Sequence, residues 1–169
     1  MYSLRFKMDL LQFLQNPWLY VVVITMLPWI ELRGGIPTGI LLGLNPLLVF
    51  IVAVFVNCLI IYPSFIFLDW FFHLMEKIPW LDRRIKKIHE NAKPYVDKYG
   101  VIGLMLFVGV PLPGTGAYAG ALVAHLLGMK NKKAFVAIAL GVLIAGIAVF
   151  AIATLFKETL GWILELKLI

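Results

Sequence analysis

Two long runs of apolar residues without any charge constrain this chain more than any other feature of its sequence. They cover residues 47–68 and 134–156. As helices with a rise of about 1.5 Å per residue, each run is about 33 Å long, which matches the hydrocarbon thickness of a bilayer. Hydrophobic residues make up 62% of the chain and charged residues 14%, whereas soluble domains average about 45–50% and about 25%. We therefore predict a single all-α membrane domain over residues 1–169, with both runs as membrane-spanning helices.

Two further apolar runs, residues 17–30 and 101–110, are too short to cross a bilayer. Each is followed by a segment rich in glycine and proline, ELRGGIP at 31–37 and PLPGTG at 111–116, and then by another short apolar arm. Non-helical backbone at membrane depth is tolerated only where protein or a water-filled cavity surrounds it. We therefore predict two re-entrant helical hairpins whose breaks face a shared polar interior.

The order of short arm, break, short arm and long helix occurs twice, at about 17–72 and about 100–156. Because each half contains one full span, the two halves are expected to have opposite orientations. Inverted-repeat transporters are built in this way, with substrate sites at broken helices near the midplane. The linker at 73–99 has charged residues on one helical face and apolar residues on the other, which predicts an amphipathic interfacial helix, divided at Pro94.

Glu31 and Arg33 in the first break are the leading candidates for chemistry. A charge at membrane depth costs at least a few kcal/mol and is usually retained for a partner or a substrate. A guanidinium beside unpaired amides at a helix start forms an anion site, and Gly34, Gly35 and Pro37 are expected to provide the unwound backbone. Glu31 is also a candidate for proton coupling. The alternative is a local ion pair that stabilises the hairpin tip.

The second break supplies the opposing half of the predicted substrate site. We expect Gly114, Thr115 and Gly116 to present backbone amides, with Thr115 capping the arm that follows, although a tight turn is the simpler alternative. Asp69, near the end of the first span, is a second candidate for proton coupling. Interfacial exposure or pairing with Lys77 would also account for it.

The sequence argues against several other classes of function. The net charge of +6 comes from Lys and Arg residues in the polar stretches between apolar runs, which indicates the positive-inside rule rather than nucleic-acid binding. Neither a phosphate-binding loop of the G-x-x-x-x-G-K-[ST] type nor a G-x-S-x-G motif is present. The chain has one cysteine, Cys58, and its dispersed histidines are His73, His89 and His125. We expect no metal, no cofactor and no enzymatic activity.

Small residues recur along one face of the second span. Ala137, Gly141 and Ala145 are four residues apart and are followed by Ala148, a pattern that lets another helix approach closely. We interpret this stripe as a packing face. It also offers a contact surface for a homodimer.

Two motifs of this chain resemble a known family. The sequences ELRGGIPTGI (31–40) and GVPLPGTGAYAG (109–120) are similar to the patterns E-x-R-x-x-I-P and P-x-P-G-T-G-A of the small multidrug export proteins. That family resembles in turn the DedA superfamily, which includes the VTT-domain proteins and is associated with movement of anionic lipids. The residues that match the motifs are Glu31, Arg33, Pro37, Pro113, Gly114 and Thr115. DedA proteins commonly carry an arginine near the second motif, whereas here no Lys or Arg lies between Lys98 and Lys130.

Together with the residues, this resemblance implies a multi-pass transporter in the cell membrane. The leading hypothesis is a flippase or an ion-coupled carrier of an anionic, phosphate-bearing lipid such as a polyprenyl phosphate, with coupling to protons or sodium. Arg33 and the amides of the broken helices would bind the head group. One alternative is export of small cationic or amphipathic compounds by Glu31 and aromatic residues. Another is a non-transporting scaffold whose basic linker docks a partner or anionic lipid.

Overall fold

The computed structural model describes residues 16–75, 79–129 and 131–166, and this part of the chain folds into helices without any strand. Residues 1–15, 76–78, 130 and 167–169 lie outside the described residues, and they include Lys77 and Lys130. The all-α prediction is confirmed for the described part. In chain order the helices are α1 (Pro17–Met26), α2 (Glu31–Leu41), α3 (Pro46–Met75), α4 (Pro79–Gly109), α5 (Ala117–Leu126) and α6 (Asn131–Leu166).

Helices α3 and α6 contain the two predicted spans, and both are long and apolar enough to cross a membrane. Asn45 caps the start of α3, because its side-chain oxygen accepts hydrogen bonds from the amides of Leu47 at 3.0 Å and Leu48 at 3.2 Å. Large apolar side chains point away from the protein along both helices, with Phe55 61% exposed and Ile152 63% exposed. Such a surface fits lipid rather than water.

The predicted position of the first break was wrong. Helix α1 ends at Met26, and a short turn over residues 27–30 precedes α2. The residue before a proline is driven out of the helical region, and Leu27 before Pro28 has extended dihedrals of φ −69° and ψ 127°. Pro28, rather than the later glycines, therefore sets the break.

The segment ELRGGIP is helical because its apolar residues share one buried face. Leu32, Ile36 and Ile40 are completely buried, and their burial outweighs the low helix propensity of the glycines and of Pro37. The prediction that Gly34 and Gly35 provide unwound backbone was wrong, because both lie within α2. They allow α1 and α2 to pack closely, since a Cβ on Gly35 would overlap the Thr25 hydroxyl.

Helix α4 is also longer than predicted. It runs through Pro94 without ending, so residues 79–99 of the amphipathic linker and residues 101–109 of the short arm belong to one continuous helix. Pro94 removes the hydrogen bond to the carbonyl of Glu90. Both residues lie on an exposed part of the helix, where water can solvate that carbonyl. The predicted division at Pro94 was wrong for this reason.

The helices of the two halves interleave. Helix α1 packs on α2, and α5 packs on α4, as the hairpins predict. In addition, α2 packs against α6, and α5 packs against α3. The second short helix of each half therefore contacts the long helix of the other half. The opposite orientation of the halves and the re-entrant placement of the hairpins remain predictions.

The stripe of small residues on α6 is a packing face within the chain. Ala137, Gly141 and Ala145 are buried, and a Cβ on Gly141 would lie 2.7 Å from the carbonyl oxygen of Met105 in α4. The prediction of close helix packing is confirmed. Its three buried residues are packed within the chain, however, so they do not offer the contact surface for a second copy that we had expected. A homodimer remains a prediction without this support.

Candidate functional site

The break between α4 and α5 is a compact loop over residues 110–116. Gly114 adopts φ +81°, a left-handed conformation that residues with a Cβ rarely adopt. The hydroxyl of Thr115 donates a hydrogen bond to the carbonyl of Val110 at 2.7 Å and lies 3.0 Å from that of Leu112. Thr115 therefore closes the loop on itself. The prediction that Thr115 caps α5 was wrong. The capping residue is Gly116, which has no side chain.

The missing cap of α5 comes from the first half of the chain. One carboxylate oxygen of Glu31, Oε2, accepts a hydrogen bond from the amide of Ala117 at 3.0 Å, and Oε1 accepts one from the amide of Tyr118 at 3.3 Å. The positive end of a helix dipole favours an anion at this position. A Cβ on Gly116 would overlap the carboxylate. Gly116 is therefore small because Glu31 occupies the space beside it.

Arg33 binds the opposite end of the same break. Its Nη2 donates hydrogen bonds to the carbonyls of Val108 and Val110, each at 3.3 Å, and to the Thr115 hydroxyl at 2.9 Å. Val108 lies in the last turn of α4 and Val110 directly follows the helix, and the helix dipole favours a cation at this end. The two charges of the E-x-R motif thus satisfy the two helix ends that flank the second break.

Glu31 and Arg33 also contact each other. Arg33 Nη1 lies 3.4 Å from Glu31 Oε2, and their side chains are 12% and 3% exposed, respectively. The local ion pair considered as an alternative is thus present, but it reaches across to the second half. Asn57 of α3 completes the network, since its Nδ2 donates a hydrogen bond to Glu31 Oε2 at 3.3 Å.

The turn before α2 holds two residues in a conformation that favours glycine. Trp29 has φ +80° and Glu31 has φ +52°, and each such residue costs on the order of 1–3 kcal/mol. The Trp29 side chain is 77% exposed, so its own packing does not compensate for this cost. Strained backbone of this kind concentrates at functional sites.

A cavity of about 290 Å³ opens beside the Glu31 carboxylate and is lined by Trp29 and Tyr118 among others. It adjoins an apolar groove of about 770 Å³ between α1, α3 and α5. Pro28, Tyr118 and Leu122 line both spaces. The Tyr118 hydroxyl donates a hydrogen bond to the carbonyl of Met26 at 2.8 Å, which fixes the ring at the boundary between the cavity and the groove.

The structure brings together only part of the predicted set. Glu31, Arg33, Gly114, Thr115 and Gly116 meet at the second break, with Pro113 in the same loop. Gly34, Gly35 and Pro37 lie on α2 next to the charged pair, within the helix rather than in a break. The exporter alternative called for aromatic residues without identifying them, and the structure places Trp29 and Tyr118 beside Glu31.

Asp69 lies apart from the charged network, near the other end of α5. Its Oδ1 is 3.2 Å from Nδ1 of His125, and the side chain of Asp69 is 54% exposed. The His125 ring packs on Phe72 with ring centroids 4.4 Å apart. The partner of Asp69 is therefore His125, which lies more than fifty residues later in the sequence. No local sequence pattern indicates this pair. The role of Asp69 in proton coupling remains a prediction.

Comparison with known proteins places this chain in a family. Residues 31–148 match the family described as "Putative small multi-drug export protein". The match covers more than half of the 169 residues and begins at Glu31, so it includes both motifs and the network that joins them. No curated protein and no solved structure is detectably similar to the chain. The relationship to the DedA superfamily remains a prediction. The chain belongs to the family of small multi-drug export proteins.

Proposed function

We propose that this protein exports small cationic, amphipathic compounds across the cell membrane and that Glu31 binds their cationic group. The observation that carries the proposal is the buried carboxylate of Glu31, which lines a cavity together with the aromatic side chains of Trp29 and Tyr118. A carboxylate attracts a cation directly, and aromatic rings attract it through their faces. The adjoining groove, lined almost entirely by apolar side chains, suits the apolar body of such a compound.

Glu31 retains capacity for a ligand. Within the described structure Oε1 accepts one hydrogen bond, from the amide of Tyr118, and a carboxylate oxygen has about two lone-pair sites. An ammonium group in the cavity can therefore approach Oε1 while Oε2 stays bonded to Ala117. An ammonium group and a proton would both bind this carboxylate, so we expect them to compete for it.

The proposed transport architecture is the inverted repeat of two re-entrant hairpins, in a multi-pass protein surrounded by membrane lipids. The crossed packing of α2 on α6 and of α5 on α3 supports it, because a two-fold relation between the halves pairs these contacts. Movement of one hairpin relative to the other would separate Glu31 from Ala117. The proposed activity is transport rather than catalysis, with protons or sodium as the coupling ion.

The predicted carrier of an anionic, phosphate-bearing lipid such as a polyprenyl phosphate is the second candidate. One observation favours it: Nε of Arg33 is buried and has no hydrogen-bond partner among the described residues. A phosphate oxygen would accept that hydrogen bond. Nη2 of the same guanidinium, however, is bonded to the carbonyls of Val108 and Val110, so a head group would have to displace contacts that stabilise the second break.

The first experiment measures efflux of a fluorescent cationic dye from liposomes that contain the purified protein. We expect export by the wild type, loss of export by Glu31→Gln and unchanged export by Glu90→Gln. Glu90 lies on the exposed, amphipathic part of α4, so it is a matched control for removal of one carboxylate. Export by a well-folded Glu31→Gln protein at the wild-type rate would rule out Glu31 as the cation-binding group.

A parallel experiment tests the lipid carrier in the same liposomes. It measures inward movement of a fluorescent phospho-polyprenol by the wild type, Arg33→Gln and the control Arg83→Gln, whose arginine is exposed on α4. Movement that requires Arg33, without dye efflux, would replace the exporter by the anionic-lipid carrier. If neither compound moves and Arg83→Gln weakens binding to anionic vesicles, the scaffold is the better hypothesis.

A further inference from the structure

Asn57 uses only half of its side-chain amide. The residue is completely buried in α3, and its Nδ2 donates a hydrogen bond to Oε2 of Glu31 at 3.3 Å. The other end of the amide, Oδ1, is buried and accepts no hydrogen bond from any residue that the structure describes. An unsatisfied buried acceptor costs about 1–3 kcal/mol, and an apolar residue at this position would avoid that cost.

If Glu31 exchanges a proton, both the Nδ2 and the Oδ1 end of the Asn57 amide can form a hydrogen bond with it, each in a different protonation state. An ionised carboxylate only accepts hydrogen bonds, so it requires the Nδ2 end, whereas a protonated carboxyl group also donates through its O–H. Rotation about the terminal torsion of Asn57 exchanges Nδ2 and Oδ1, and this torsion is soft and roughly two-fold. We propose that Asn57 is the positioning residue for proton exchange at Glu31, with its amide as donor to the carboxylate and as acceptor from the protonated carboxyl group.

The proton step is simple and balanced. A proton from water on one side of the membrane binds Oε2 of Glu31, and an O–H bond forms. The same bond breaks when the proton leaves to water on the other side. Protonation removes the negative charge that the start of α5 attracts, and so weakens the contact with Ala117. Arg33 keeps its hydrogen bonds to the carbonyls of Val108 and Val110.

Few other ionisable groups face Glu31. Arg33 comes from the same helix, and Tyr118 comes from α5 with its hydroxyl bonded to Met26. From helix α3, Asn57 contacts Glu31, and its amide does not ionise. The charged residues of α6 that the structure describes lie near its two ends, at Lys132, Lys133, Lys157 and Glu158, and α1 carries no charged residue. The response to pH is therefore assigned to Glu31 itself.

The same contacts favour a proton over a sodium ion. Oxygen ligands bind hard metal cations, but the Glu31 carboxylate already faces four N–H donors, from Arg33, Asn57, Ala117 and Tyr118. Because these donors occupy most of the lone-pair sites of the carboxylate, few oxygen atoms remain here to complete the ligand shell of a bare metal cation. A proton instead neutralises the carboxylate in place. This choice of ion rests on the proposed exporter and adds the coupling step to it.

The test compares two activities in liposomes: exchange of labelled dye without a gradient, and accumulation of dye driven by a pH gradient. We expect Asn57→Leu to slow exchange but to lose pH-driven accumulation far more severely. Asn57→Ser should recover part of the accumulation, because a hydroxyl both donates and accepts. The control is Thr154→Val, which removes a hydroxyl bonded within α6 to Phe150, and it should retain both activities.

Three results would overturn the proposal: wild-type accumulation by Asn57→Leu, an equal loss of both activities in a well-folded variant, or wild-type export driven by a sodium gradient and not by a pH gradient. The last result leaves the exporter intact.

A spectroscopic experiment tests the same proposal without any export. The infrared band of the protonated Glu31 carboxyl group, identified by its loss in Glu31→Gln, should shift between the wild type and Asn57→Ser. An unchanged band contradicts the amide switch even if Asn57→Leu does not fold, whereas absence of dye export with a shifted band rejects only the exporter.

Discussion

Oε2 of Glu31 lies 3.0 Å from the backbone amide nitrogen of Ala117, so the first residue of α2 caps the first residue of α5. The amides at the start of a helix have no partner within that helix. Here their partner comes from the other half of the protein, together with its negative charge. The two hairpins therefore cannot separate at this point unless the carboxylate is solvated, protonated or bound by another cation.

Removal of this charge should destabilise the fold more than removal of a surface charge. We expect Glu31→Ala to lower the free energy of unfolding by about 3–5 kcal/mol, because it leaves Arg33 as an uncompensated charge in the interior. Chemical denaturation of the protein in detergent measures this. The double variant Glu31→Gln, Arg33→Gln should lose less than the sum of its two single variants. Strict additivity would show that the two charges do not stabilise each other.

Gly116 should not tolerate a methyl group. The Cβ of Gly116→Ala would overlap the Glu31 carboxylate, so we expect the cap on α5 to be displaced and both stability and dye export to fall. Gly103→Ala is the matched control, since a Cβ there meets nothing within 4 Å and alanine is favoured over glycine in a helix by about 1 kcal/mol. Thermal unfolding and dye efflux of the two variants test this contrast. Equal behaviour would argue against the packing of Glu31 on Gly116.

Trp29 should show a conflict between stability and activity. We expect Trp29→Gly to raise the free energy of unfolding by about 1 kcal/mol, because glycine removes the strain at φ +80°. The same variant should impair export, because the indole lines the cavity beside Glu31. Trp29→Ala separates the two effects, since it removes the indole and keeps the strained backbone. If Trp29→Gly exports dye as the wild type does, the indole is not part of the binding site.

The Tyr118 hydroxyl should stabilise the wall between the cavity and the groove. Tyr118→Phe removes its hydrogen bond to Met26, for which we expect a loss of about 0.5–1.5 kcal/mol in the free energy of unfolding and a change in the apparent affinity for bulky dyes. Tyr62→Phe makes the same chemical change on a side chain that is 67% exposed. Its unfolding and its dye affinity should match the wild type, and a similar effect of both substitutions would contradict the assigned role.

Much of the helical architecture could be predicted from the sequence. The two spans follow from the length of their uncharged runs, and the start of α3 follows from the side chain of Asn45. The importance of Glu31 and Arg33 follows from the cost of placing charge in an apolar segment. The position of the first break was predicted less well, because the break was assigned to the glycines of ELRGGIP and not to Pro28. Glycine lowers helix propensity by only about 1 kcal/mol, which the burial of Leu32, Ile36 and Ile40 exceeds.

The sequence by itself determined that this chain is apolar enough for a membrane, where its two long apolar helices lie and which charges its interior must accommodate. These properties depend on composition and on local order along the chain. Only the tertiary structure decided what those charges bind. It placed Glu31 on the amides of α5, Arg33 on the carbonyls of α4 and Asn57 beside the carboxylate. Hydrogen bonds act over about 3 Å, so they depend on how distant segments pack, and no local pattern encodes that packing.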